Sequence, residues 1–228
     1  MIAQRIRTIK EKMAVAAAKA GRLPMDVTLV AVSKHFPAEV IKEAVAAGQM
    51  HFGENYIQEL REKKALVPPD VVFHFIGHLQ SNKAKIAVET CNMIETVDSF
   101  KLGKALNSSL EHLDKKIDIL VQVNIGKDTN KTGADSDKTE ELLIQLHTLP
   151  RLRICGLMTI PPYATNPELS RPHFRNLRLL AKELIAKNLF PHVEKVALSM
   201  GMSEDYQIAI EEGATIVRVG TAIFGQRK

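Results

Sequence analysis

Lys34 closes the run TLVAVSKH, residues 28–35, in which β-branched and apolar residues precede a single amine. Such a run reads as a strand, which places the lysine at its C-terminal end. One use of a lysine there is bland: its aliphatic stem lies on the sheet and its ammonium snorkels into water. The other is chemical. An amine partly desolvated in a pocket loses its proton more readily and can form a Schiff base with a carbonyl.

Two segments far along the chain bear on that choice. LSMGMSEDY, residues 198–206, offers Ser199, Gly201 and Ser203 just before a helical pattern. VRVGTAIFG, residues 217–225, offers Gly220 and Thr221 where a strand ends. Small residues let backbone N–H groups approach a phosphate, hydroxyls add donors, and a helix start adds its positive end. Taken singly, either segment also reads as a turn or a cap. Two phosphate-type loops and a lysine at one sheet end suit a phosphorylated aldehyde, and pyridoxal 5′-phosphate (PLP) carries both groups. Arg218 alternates with Val217 and Val219 and so points the opposite way. Beside a pyridine nitrogen it would donate a hydrogen bond and leave the ring a poor electron sink. The alternative is an arginine paired with a carboxylate inside the fold.

The elements needed to bring these residues together alternate along the chain. Strands are expected near 27–33, 50–53, 72–76, 92–97, 117–125, 152–159, 193–199 and 214–219. Helices are expected near 38–47, 55–66, 80–89, 99–111, 136–148, 170–188 and 203–212. Pro37 starts the first of these and Gly48 stops it. Ser170 is the expected cap of the sixth, whose apolar face runs Phe174, Leu177, Leu180, Leu184 and Ile185. Eight strand–helix units without a linker predict an α/β fold, a single (β/α)8 TIM-type barrel domain over 1–228, with an open doubly wound sheet as the alternative. An extra N-terminal helix, with Ile2, Ile6, Ile9 and Met13 on one stripe, precedes the first strand. A lysine ending strand one and loops after strands seven and eight would share the C-terminal face of such a barrel, where barrel enzymes place their chemistry.

Composition narrows the function classes. The 228 residues are 45% hydrophobic and 25% charged, as expected for a folded chain. No membrane span or secretion signal is read. Cys91 and Cys155 lie far apart, which argues against a disulfide scaffold or a zinc site and suits a reducing cytoplasm. The net charge of +5 is scattered, and there is no tryptophan, so a nucleic-acid surface is not expected. His74 and His78 fall across a strand end, which is no metal-ligand spacing on a helix face, and no metal is expected. The polar loop GKDTNKTGAD, 126–135, is long for its position and reads as a mobile rim, with Lys131 reaching toward a phosphate.

Read end to end, the sequence resembles the pyridoxal phosphate homeostasis protein family, related in fold to the N-terminal barrel of alanine racemase. The resemblance rests on AVSKH (31–35), FGENYIQE (52–59), HFIGHLQSNK (74–83), GLMTIP (156–161), LSMGMSEDYQIAI (198–210) and VRVGTAIFG (217–225). It departs at His35-Phe36, where members often carry a threonine and a second lysine. The resemblance implies PLP on Lys34, with Ser199, Gly201, Gly220 and Thr221 around the phosphate and Arg218 near the ring nitrogen. It also places Asn55 and Met158 close to the cofactor, although alone they read as a helix cap and a core residue. A monomer acting in vitamin B6 homeostasis without strong turnover is implied, with PLP-dependent apoenzymes as partners. Barrel racemases draw a second base from a further domain, which is not read before Lys228. A PLP-dependent amino-acid racemase is the alternative.

Overall fold

The computed structural model describes residues 1–128, 132–162 and 164–226. Eight strands form the barrel: β1 (Thr28–Val32), β2 (His51–Glu54), β3 (Val72–Phe75), β4 (Met93–Val97), β5 (Ile117–Asn124), β6 (Leu152–Met158), β7 (Ala197–Ser199) and β8 (Ile216–Val219). Most are short and rich in β-branched or aromatic residues, and every neighbouring pair is parallel. Their order is β4-β3-β2-β1-β8-β7-β6-β5, and β5 pairs back with β4. The sheet is therefore closed, a TIM-type barrel, and not the open doubly wound alternative. A two-residue strand, Ala134–Asp135, adds to the end of β5 outside the barrel, so the polar loop there is partly paired.

Period-2 alternation splits the strand residues between two environments. Outward residues such as Leu29, Ala31, Phe52, Phe73, Phe75 and Val217 join the large core beneath the helices. Inward residues Val30, Leu120, Cys155, Met158 and Ile216 make a smaller core inside the barrel. Nine α-helices surround the strands among the described residues: α1 (Ile2–Lys19), α2 (Ala38–Ala46), α3 (Ile57–Lys64), α4 (Ala84–Thr90), α5 (Phe100–Ser109), α6 (Thr139–His147), α7 (Arg171–Ala186), α8 (Tyr206–Glu211) and α9 (Thr221–Phe224). α1 buries the expected stripe of Ile2, Ile6, Ile9 and Met13. Its Arg5 donates to the Ile223 carbonyl of α9 at 3.1 Å, and Arg22 donates to the carbonyls of Ile210 and Ala214 at 3.0 and 2.8 Å. The N-terminal segment thus braces the helices that follow β7 and β8.

Three local expectations are corrected. β7 begins at Ala197, not 193, because residues 191–195 form turns in which Lys195 pairs with Asp26 at 2.6 Å. Ser170 makes no side-chain cap; Asn166 caps the preceding 3₁₀ turn by accepting from the Glu168 N–H at 3.1 Å. Ile185 lies about half exposed, leaving Phe174, Leu177 and Leu184 as the buried side of α7. No helix among the described residues is long and apolar enough to cross a membrane.

Candidate functional site

A cavity of about 440 Å³ opens at the C-terminal ends of the strands. Strand β1 contributes Val32 and the residue two beyond it, Lys34. Asn55 follows β2, Arg218 comes from β8, and Gly220 and Thr221 leave β8 to start α9. The β7 loop adds Met202, Ser203, Glu204 and Asp205. Five residues expected from the sequence, Lys34, Asn55, Arg218, Gly220 and Thr221, therefore share one cavity.

The hydroxyl side of the cavity is built from the two expected loops. Ser203 Oγ accepts from the Gly220 N–H at 3.4 Å and lies 3.1 Å from Thr221 Oγ1. Asp205 holds the β7 loop in shape by accepting from the Met202 N–H at 2.7 Å. Gly201 does not line the cavity, but the loop depends on it: its φ is +91°, and an added Cβ would lie 2.5 Å from that of Ala209. Its carbonyl accepts from the Arg218 N–H at 3.0 Å, which ties the β7 loop to β8.

Arg218 is 3% exposed. Its Nη1 donates to Ser199 Oγ at 2.5 Å and its Nη2 to the Thr159 carbonyl at 2.9 Å. Ser199 Oγ in turn donates to Glu95 Oε2 at 2.5 Å. The other Glu95 oxygen meets His74 Nδ1 at 2.6 Å, and His74 Nε2 lies 3.0 Å from His51 Nδ1. This chain of polar groups runs through the barrel from His51 to the cavity. Burial pushes the Glu95 carboxyl up, but the hydrogen bond and charge of His74, with Arg218 and Ser199, hold it below the ordinary range. The arginine–carboxylate alternative is present too, at 3.9 Å between Arg218 and Glu95.

Besides Gly201, two expected residues stand outside the cavity lining. Ser199 is fully buried with its hydroxyl spent on Glu95 and Arg218, so it does not line the phosphate-type loops. Met158 is fully buried among Val30, Leu120, Cys155 and Ile216, and it is Ile160, two residues on, that reaches the cavity. Asn55 is not the helix cap, a position taken by Tyr56. Its Oδ1 is buried without a hydrogen-bond partner among the described residues. Gly77 permits this placement, since a Cβ there would lie 2.2 Å from the Asn55 carbonyl oxygen. Sequence reasoning missed the segment after β6, where Ile160, Pro161, Pro162, Ala164 and Pro167 form an apolar wall. The paired prolines that begin at the end of the GLMTIP motif were its signal. Lys131 lies outside the described residues.

The chain matches the alanine racemase N-terminal domain family over residues 5–228. The pyridoxal phosphate homeostasis protein of Aquifex aeolicus (strain VF5) is 40% identical over 228 residues, covering 99% of this chain and 98% of the relative. That of Escherichia coli (strain K12) is 39% identical over 231 residues, covering 99% and 97%. Among solved structures, PipY of Synechococcus elongatus PCC7942 without PLP superposes with a TM-score of 0.87 at 40% identity. PipY with PLP bound gives 0.86 at 38%, and both cover 99% of this chain and 100% of PipY. This chain belongs to the pyridoxal phosphate homeostasis protein family.

Proposed function

We propose that this chain binds PLP in the barrel-mouth cavity with Lys34 as its covalent anchor, and that it holds the cofactor for vitamin B6 homeostasis without strong catalytic turnover. The observation that carries this reading is the convergence of Lys34, Arg218, Asn55, Ser203, Gly220 and Thr221 on one cavity. The residues fit the group. Asn55 presents a buried acceptor without a partner among the described residues, and the Ser203–Gly220–Thr221 corner offers donors at a strand exit. The names of the relatives and the PLP-bound PipY structure support the assignment.

When bound, PLP supplies an aldehyde that a lysine amine takes up covalently and a ring that can accept electrons. On this reading Lys34 provides the amine, the β7 and β8 loops hold the phosphate, and Asn55 gives the cofactor an acceptor. Arg218 would serve as a donor beside the ring nitrogen. An always-protonated guanidinium has no proton to give up there, so the ring gains little electron-withdrawing power. Of the carboxylates lining the cavity among the described residues, Glu204 is exposed and Asp205 is committed to the Met202 N–H. Neither is poised as a second base. The free, buried Cys91 and Cys155 suit a reducing cytoplasm, where PLP-dependent apoenzymes would receive the cofactor.

The test is the visible absorption of the protein with added PLP, followed by borohydride fixation and peptide mapping. The expected outcome is a band that borohydride removes, leaving the label on Lys34, and complete loss of label in Lys34→Ala. A label elsewhere overturns the anchor. Sustained loss of optical activity from L-alanine, abolished in Lys34→Ala, overturns the low-turnover part and makes the protein a racemase.

A further inference from the structure

The two peptide units that flank Lys34 are held by one buried cluster behind β1. Lys63, on α3, is 5% exposed. Its ammonium donates to the Ser33 carbonyl at 2.7 Å, to Glu54 Oε1 at 2.7 Å and to Glu59 Oε1 at 2.6 Å. Those three bonds use all its donors. Glu59 Oε1 also accepts from the His35 N–H at 2.6 Å, and Ser33 Oγ donates to Glu54 Oε1 at 2.7 Å. The acceptor just before Lys34 and the donor just after it thus end on the same ammonium and its two carboxylates.

The backbone there is not one the chain would adopt unaided. His35 has a φ of +66°, in the left-handed region that non-glycine residues rarely occupy. It is held there by the bond to Glu59 and by its ring against Tyr56, with centroids 5.2 Å apart. An apolar residue at 63 would fill the layer between barrel and helix without the cost of desolvating a charge. What the charge adds is a fixed position for two backbone atoms.

We propose that Lys63, with Glu54 and Glu59, is the positioning group for Lys34: it fixes the direction in which the Lys34 side chain leaves the strand end and so its reach into the cavity. Lys63 acts through the backbone and is not itself a catalytic residue. The proposal rests on the reading of Lys34 as anchor, and the experiment separates the two.

The full-length protein and its Lys63→Met and Lys63→Arg variants are compared by three measurements. These are amide hydrogen exchange at His35 without cofactor, the rate at which borohydride-fixable label appears on Lys34 after PLP addition, and the affinity for pyridoxine 5′-phosphate, which has no aldehyde. For Lys63→Met the expected result is exchange at His35 about tenfold faster and attachment about tenfold slower, with pyridoxine phosphate affinity within about twofold of wild type. Lys63→Arg, which keeps the charge, recovers part of both. Unchanged exchange at His35, attachment within twofold of wild type, or a parallel fall in pyridoxine phosphate affinity would each overturn the proposal. If Lys63→Met does not fold, Glu59→Gln is read the same way, with changes of about threefold expected. A wild-type protein that never labels at Lys34 sinks the anchor reading, while exchange at His35 still decides the clamp.

Discussion

On the β1 side of the cavity, Lys34 leaves a strand end held from behind, in the layer between the barrel and α3, by Lys63, Glu54 and Glu59. On the β8 side, Arg218 is held from inside the barrel by Ser199, Thr159 and Glu95. The first cluster grips backbone atoms and the second grips a side chain. The difference suits the proposed roles. A guanidinium that must stay charged and still is bonded at its own nitrogens. An amine that must change partners is steered through its backbone. The environments differ as well: Glu95 is fully buried, whereas the Glu59 side chain is 23% exposed.

That contrast can be broken by removing each anchor in turn. Glu95→Ala leaves Arg218 and His74 without their carboxylate inside a barrel that water cannot readily reach. The expected loss is about 4 kcal/mol, seen as a fall in Tm of roughly 10 °C. Lys63→Met should cost less, about 2 kcal/mol by urea denaturation, because Glu59 can turn to water and Glu54 can take up a proton. Equal losses in the two variants would erase the distinction between the inner and outer clusters.

The two buried carboxylates should also answer pH in opposite senses. Glu95 is held below the ordinary range, so the stability it contributes is present above that range and is lost as pH falls through its lowered value. Burial raises the Glu54 carboxyl, outweighing Lys63 and the Ser33 hydrogen bond. The folded carboxyl therefore keeps its proton to higher pH than the unfolded one, and stability is lost as pH rises through its raised value. Urea midpoints measured from about pH 2 to 7 should show Glu95→Gln flattening the loss below the ordinary carboxylate range and Glu54→Gln flattening the decline above it. The same sign for both would refute the assignment. The smallest effect is expected from His35→Gly, which relieves a positive φ and forfeits the Tyr56 contact. The net change should stay within about 1 kcal/mol, and a larger loss would give the ring contact a weight not assigned to it.

Much of this arrangement is legible in the sequence. The alternation in IVRVG turns Arg218 inward, and the loops after β7 and β8 are recognisable from their small and hydroxyl residues. The inner network leaves a trace as well, because Glu95 in MIETV and His74 in VFHF interrupt strands otherwise fit for burial on both faces. Lys63 leaves none. It stands in IQELREKK, where only Ile57 and Leu60 are apolar and buried, and nothing in the pattern separates it from the solvated charges beside it. The exclusion of Ser199 and Met158 from the cavity was equally hidden, since a residue at a strand's end meets cavity or core according to a single step of the pleat.

β1 is completed by β2 on one edge and by β8 on the other, with Val30 opposite Arg218. During synthesis the first neighbour emerges soon after β1, and the second only when Ile216 leaves the ribosome. Until then β1 has an open edge that can template wrong pairings, and its closing contact is among the most distant in the chain. Cofactor loading on this chain should therefore be a post-translational event. Stalled chains ending before β8 should take no label at Lys34, and occupancy by PLP would then report completed folding, not synthesis.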